Sequence, residues 1–347
     1  MLLYYQQAVH GNFGDALNGW LWQRLLPGMW DDDGVVFVGI GTLIDRAIPD
    51  ARLRVIFGSG AGYAAPPQGV AESDGGWRVY GVRGPLTARV LGLHPSLALT
   101  DTAILLSQLA EFKESRGKGT VFVPHWKSVR FGAWQEICDD LGIEFVNPCD
   151  DSQAVIRRIA RAGRVIAESM HAAIVADAFR VPWSPVVLSR EVSPFKWADW
   201  AQSLEMAYRP YCLPPSTRAE AMRDQVLRWT VFENIYGFPS ADRLRDPQVL
   251  RFEDIDKLVD DFWRGCARTD TPGRALSSRL IEAGFKRLSR GVVRQRSRRG
   301  GERLRDRARD GLTQVMAQPA MLSADHAHRR ALGRTLDALE ALKSDWA

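Results

Sequence analysis

Val165-Ile-Ala-Glu168-Ser-Met-His171-Ala-Ala-Ile-Val-Ala-Asp177-Ala-Phe-Arg-Val-Pro182 reads as a strand, a sharp turn and a helix. Residues 165–168 are apolar and β-branched up to the glutamate, the composition of a short buried strand. Residues 170–178 form a helix rich in small side chains. Ala172, Ala173 and Ala176 let that helix lie close to a sheet. Pro185-Val-Val-Leu188 is the next strand. Strand, helix, strand is the repeating unit of a parallel sheet.

The same alternation extends outward in both directions. Strands are predicted at 120–124 and 144–146, with helices at 131–141 and 152–162. A charged, glycine-bearing break, Lys113-Glu-Ser-Arg-Gly-Lys-Gly119, precedes this group. Before the break, strands are predicted at 2–5, 35–39, 55–58, 77–82 and 97–101. Helices are predicted at 16–26, with Asp15 as N-cap, and at 85–91. Residues 193–270 are helical in composition and rich in aromatics. The expected fold is α/β: two doubly wound parallel-sheet domains facing a cleft, GT-B-like, with a helical basic C-terminal extension. The boundaries fall at 1–115 for the N-terminal α/β domain, 116–270 for the C-terminal α/β domain with its helical end, and 271–347 for the tail.

Composition bounds the function. The chain has 347 residues, 46% hydrophobic and 25% charged, with 12 tryptophans. That length suits two domains. Cys138, Cys149, Cys212 and Cys266 form no CxxC pair, and no histidine cluster has zinc spacing, so reduced thiols in a cytoplasmic protein and no metal are expected. Met1-Leu-Leu-Tyr-Tyr-Gln-Gln7 lacks the basic start of a signal peptide. No run of 18 apolar residues exists. The net charge of +5 is local in origin: residues 276–312 hold 12 Lys or Arg against 4 Asp or Glu, which leaves the remainder mildly acidic.

In open α/β sheets ligands sit beyond the carboxyl ends of the strands, and the residues there are chemically suggestive. Gly11-Asn12-Phe-Gly-Asp15 is either a capped turn or a loop that approaches a ligand. Arg83, fixed by Gly84-Pro85, either forks onto an anion or makes a salt bridge. Asp101 either caps a helix or serves as a base. Pro124-His125-Trp126-Lys127, with Arg130, offers an imidazole, an indole face and two cations, the equipment for a small acidic donor. Ser169 and His171 open a helix, as an anion pocket or as a packed core histidine. Phe195-Lys-Trp197-Ala-Asp-Trp200 is either a sugar platform or core.

These segments, in this order, resemble the polysaccharide pyruvyl transferase family over residues 1 to about 200. The carriers are Gly11-Asn-Phe-Gly-Asp15, Val82-Arg83-Gly-Pro-Leu-Thr87, Asp101-Thr-Ala103 and Glu168-Ser-Met-His171 through Pro182. With Pro124-His-Trp-Lys127 and Lys196-Trp-Ala-Asp-Trp200, the pattern looks like the succinoglycan-type exopolysaccharide ketalases. Many members carry Arg-Leu or Arg-Phe before the histidine, where Ser169 and Met170 stand here. Arg83, Lys127 or Arg130 would then replace the missing cation.

The resemblance implies a donor, phosphoenolpyruvate, and no cofactor. It implies pyruvate transfer as a cyclic ketal onto a sugar of a bacterial exopolysaccharide or its lipid-linked repeat unit. His125, His171 and Asp101 would be catalytic. Arg83, Lys127, Arg130, Ser169 and His171 would bind the donor. Asn12, Asp15, Trp126, Trp197 and Trp200 would bind the acceptor sugar. Residues 276–312, with Leu276, Leu280, Ile281, Phe285, Leu288 and Val292 along one helical stripe, would hold the enzyme on anionic lipid at the inner face of the plasma membrane. Nucleic acid is not expected as a partner, because that segment has little aromatic interleaving. Two rivals share the pattern: a GT-B glycosyltransferase using a nucleotide-sugar, and a non-catalytic glycan-binding component of polysaccharide assembly.

Overall fold

A computed structural model describes residues 1–6, 10–30, 34–45, 47–72, 75–113, 115–228, 236–240, 244–269 and 298–346. Its first sheet contains β1 (Leu2–Tyr4), β2 (Val35–Val38), β3 (Leu53–Phe57) and β4 (Trp77–Gly81), all parallel and side by side in chain order. β2, Val-Val-Phe-Val, is buried along its whole length, as expected of a strand covered on both faces. The predicted strand at 97–101 contributes one parallel bridge, Ala98 to Val82, at the edge beyond β4. The chain then turns into a 3₁₀ segment, Thr102–Gln108.

The second sheet contains β5 (Thr120–Val123), β6 (Glu144–Phe145), β7 (Arg164–Ala167), β8 (Trp183–Val187), β9 (Tyr211–Cys212) and β10 (Gln248–Val249). Their order is β10-β9-β8-β7-β5-β6, parallel throughout except for the β9–β10 pair. This sheet is doubly wound: from β5 the chain goes to β6 on one side, then returns to β7 on the other. The switch point therefore lies between the carboxyl ends of β5 and β7. The first sheet shows no such reversal among the described residues.

The helices of the first unit are α1 (Phe13–Ala16), α2 (Asn18–Leu25) and α3 (Pro85–Val90). Asn12, not Asp15, caps α1: its backbone is extended, and its side-chain oxygen accepts from Gly14 N at 3.3 Å. Asp15 lies inside the first turn and accepts from Asn12 Nδ2 at 2.7 Å. The second unit carries α4 (Trp134–Leu141), α5 (Ser152–Ala160), α6 (Met170–Ala178), α7 (Pro194–Ser203), α8 (Arg218–Arg228) and α9 (Ile255–Thr269). α10 (Arg298–Ala317) and α11 (Asp325–Asp345) follow.

The helical C-terminal extension expected from the sequence is present from residue 298 onward, and it packs on both units. Residues 276–297, including the apolar stripe, lie outside the described residues. Beyond them, Ala308, Leu312 and Val315 of α10 are buried with Phe122, Trp134 and Ile137 of the second unit. α11 then crosses back, packing against β4 and the Thr102–Gln108 segment of the first unit. One apolar cluster runs through both units, joining Phe13, Trp22, Phe57 and Leu105 to Val165, Ile174 and Leu342. Among the described residues no helix is long and apolar enough to cross a membrane.

Candidate active site

A cavity of about 400 Å³ opens between the two units, at the switch point. That volume lies within the roughly 300–1,000 Å³ of small-molecule sites. The first unit lines it with Gln6, Asn12, Asp15, Thr42, Leu43 and Tyr63. From β5 come His125, Trp126 and Lys127. From the turn after β7 come Ser169, Met170 and His171. Glu191 and Lys196 complete the wall.

His171 is placed by close packing. α6 is fully buried, because its alanines present little bulk to the sheet and to the Thr102–Gln108 segment. On the other side the imidazole lies directly on Gly14, where a Cβ would fall 1.9 Å from Nδ1. The start of α6 thus meets the start of the 3₁₀ segment, whose N-cap is Asp101. Asp101 Oδ1 accepts from Ala103 N at 3.0 Å. Among the described residues its Oδ2 has no hydrogen-bond partner and stands 3.9 Å from His171 Nε2, which has none either. One oxygen caps, as one of the two sequence readings had it, and the other faces the histidine.

His125 is positioned through its backbone. Its N–H donates to Glu168 Oε2 at 2.7 Å, while Glu168 Oε1 accepts from Leu188 N at 3.0 Å. One buried carboxyl thus ties together the ends of β5, β7 and β8. The side-chain Nδ1 of His125 is buried and unpartnered.

Burial dominates the ionisation of these groups. It lowers both His125 and His171 to about 3, reinforced in each case by Lys196. Burial raises Asp101 to about 6 and Glu168 to about 7. Asp15 is raised for the same reason, against the opposing effects of Asn12 and Lys196. Burial also acts upward on Glu191, but Lys127 and Arg223 outweigh it and hold that carboxylate below its ordinary value. Lys127 Nζ lies 2.7 Å from Glu191, and Arg223 Nη2 lies 2.5 Å from it.

Of the residues singled out in the sequence, the cavity brings together Asn12, Asp15, His125, Trp126, Lys127, Ser169 and His171, with Asp101 directly behind His171. Four others lie elsewhere. Arg83 is wholly buried: Nε donates to Asp199 at 3.0 Å, Nη1 to Thr42 Oγ1 at 2.8 Å and Nη2 to Ala61 O at 2.7 Å. With its donors committed there, it acts on His171 and Asp101 only as a charge at a distance. Trp197 and Trp200 are core, packed with Trp183 and Tyr208, because their spacing puts both on the inner face of α7. Arg130 is exposed outside the cavity. The sequence reading passed over Thr42, Tyr63, Glu168, Glu191 and Lys196 as site residues. Lys196 had a signal, a cation opening the Trp-Ala-Asp-Trp run. Glu191 had none. Among the described residues, no three His, Cys, Asp or Glu gather to hold a metal.

Two α/β units thus meet around imidazoles, carboxyls and cations, a lining whose chemistry suits a small anionic molecule. Over 222 residues, 63% of this chain and 70% of the relative, the protein is 46% identical to the succinoglycan biosynthesis protein ExoV of Rhizobium meliloti (strain 1021). The chain belongs to the polysaccharide pyruvyl transferase family. No family model matches the chain, and no solved structure matches it.

Proposed function

We propose that this protein transfers pyruvate from phosphoenolpyruvate, as a cyclic ketal, onto a sugar of an exopolysaccharide of the succinoglycan kind or its lipid-linked repeat unit. The reaction runs at the cytoplasmic face of the membrane, where such units are built. The observation that carries this reading is the facing pair of His171 Nε2 and Asp101 Oδ2. Both are buried and unpartnered, 3.9 Å apart, behind a cleft with cations on its wall. The relative's role in succinoglycan biosynthesis supports it.

In the free protein His171 is neutral, and Asp101 holds a proton in part. An arriving dianion favours the imidazolium, so donor binding draws a proton onto the pair. That proton passes to the methylene carbon of the donor, which becomes a methyl group, and C2 becomes electrophilic. A sugar hydroxyl forms a bond to C2 and gives its proton to a neighbouring base, His125 in this reading. A second hydroxyl of the same sugar then attacks C2. The C2–O bond to phosphate breaks, and the second hydroxyl proton leaves with hydrogen phosphate. His125 gives its proton up to solvent, from which the His171–Asp101 pair had taken one, so in sum the two hydroxyl protons account for the new methyl hydrogen and the phosphate proton. Trp126 offers an indole face to the sugar, and Asn12 and Asp15 offer hydrogen bonds to its hydroxyls.

Phosphate release from phosphoenolpyruvate, dependent on a lipid-linked or synthetic oligosaccharide acceptor, tests this. Wild-type protein should release phosphate and form an acid-labile ketal, and His171→Ala should do neither. Consumption of a nucleotide-sugar, with no phosphate from phosphoenolpyruvate under any acceptor, would overturn it.

A further inference from the structure

The resemblance implies an arginine two residues before the motif histidine, and this chain has Ser169 there. The cavity shows which charge is available instead. Arg83 is sealed against Asp199, Thr42 and Ala61. Lys127 shares Glu191 with Arg223. Arg130 lies outside. Lys196 makes no ion pair among the described residues. Its Nζ donates to Tyr63 Oη at 2.5 Å and lies 4.4 Å from the centre of that ring, contacts that leave it without a direct carboxylate partner among the described residues.

The site is shaped around this lysine. Its stem runs over Gly62, where a Cβ would stand 2.5 Å from Lys196 Cγ. Lys196 opens α7, whose Asp199 accepts from Arg83 Nε and from Thr87 N and Oγ1 of the first unit. The helix is thereby fixed to both walls of the cleft. Lys196 lines the same cavity as Asp15, His125 and His171, and its field reaches these groups and Asp101.

We propose that Lys196 is the principal anchor for the anionic group of the donor, taking the place of the cation absent beside His171, and that Tyr63 positions its ammonium toward the cleft. The role deepens the pyruvyl-transfer reading and rests on it for the identity of the donor. An ammonium that gives up a neutral hydroxyl partner for a dianion gains a charge-assisted hydrogen bond. Such bonds contribute about 1.5–3 kcal/mol, which is roughly a ten- to hundredfold change in affinity.

Calorimetric titration of the full chain with phosphoenolpyruvate, inorganic phosphate and uridine diphosphate separates the outcomes. Lys196→Met should weaken phosphoenolpyruvate binding at least about tenfold, and Lys196→Arg should recover most of that loss. Lys127→Met should cost less, since Lys127 is already paired. Unchanged affinity in Lys196→Met, or a larger loss in Lys127→Met, overturns the proposal. If the wild type binds uridine diphosphate but not phosphoenolpyruvate, and Lys196→Met weakens that binding, the anchor stands and the pyruvyl reading falls. If the wild type binds none of the three, the anchor falls as well.

Discussion

His171 and Asp101 carry opposite perturbations from the same cause. Burial disfavours charge, so it lowers the histidine to about 3 and raises the carboxyl to about 6. The histidine is thus neutral and the carboxyl keeps its proton up to about pH 6, and the free energy of doing so appears in the pH dependence of stability. Asp101 ionises near 6 in the fold and near 3.8 in an unfolded chain. Between those values the unfolded chain releases its proton first. The contribution of Asp101 to stability therefore falls as pH rises through this window and stays low above it. An asparagine keeps an oxygen for Ala103 N and has nothing to titrate. Asp101→Asn should gain on the wild type from about pH 4 to pH 6, by at most about 3 kcal/mol, and hold that gain beyond. The two histidines drive stability the other way, losing it as pH falls below the ordinary imidazole value, but they are present in both proteins and largely cancel in the difference. Urea melts of both proteins from pH 4 to 8 check this; a difference that does not change with pH would refute it. The mutant should lose transfer activity even where it is the more stable protein.

At the scale of elements, Glu168 shows why strand ends make sites. A strand end leaves backbone N–H groups without ladder partners, and this carboxyl satisfies those of His125 and Leu188 on the strands either side of it. Glutamine has one acceptor oxygen and must point its amide at the other N–H. Glu168→Gln should therefore lose about 1–3 kcal/mol at pH 7, read as a shift in the urea midpoint, and His125 should become misplaced as well. A midpoint equal to that of the wild type would show that the second bond contributes nothing. Most elements were legible in the sequence, because β-branched runs ending in glycine or before a turn have few other readings. The strand at 165–168, the helix at 170–178 and the histidine that opens it were read from composition alone. What stayed hidden depends on distant partners. Arg83 reads as an available cation until Asp199, 116 positions away, closes over it. Trp197 and Trp200 read as platform or core alike, because composition does not reveal which face of a helix meets a core. Asn12 and Asp15 are both able to cap, and only the backbone conformation at Asn12 decides between them.

For the whole molecule, the question is what holds two units at a fixed separation, since the cleft exists only between them. α7 supplies one link through Asp199. α11 supplies another, and its two ends are unequal. At its start Asp177, buried in the second unit, accepts from Trp183 Nε1 at 3.0 Å, Ser323 N at 2.9 Å and Ser323 Oγ at 2.5 Å. Arg180 adds bonds to Ser323 and Asp325, and Met321 pairs with Trp183 in an antiparallel bridge. At its far end Tyr80 Oη donates to Asp345 at 2.7 Å and Trp346 Nε1 reaches Tyr80 at 3.3 Å, both near solvent. Leaving buried donors unsatisfied costs about 1–3 kcal/mol each, whereas an exposed pair contributes less than about 1 kcal/mol. Asp177→Ala should therefore destabilise the protein by at least about 2 kcal/mol, and Tyr80→Phe by under about 1 kcal/mol. The urea midpoints of the two variants measure this directly. Because α11 carries the buried Leu339 and Leu342 against the first unit, loss of its anchor should also loosen the cleft. Phosphoenolpyruvate should then bind Asp177→Ala more weakly, although no residue of the cavity has changed. Equal losses in the two variants would mean that the helix is held by its apolar face alone. A large loss of stability with ligand affinity intact would mean that α7 by itself fixes the distance between the units.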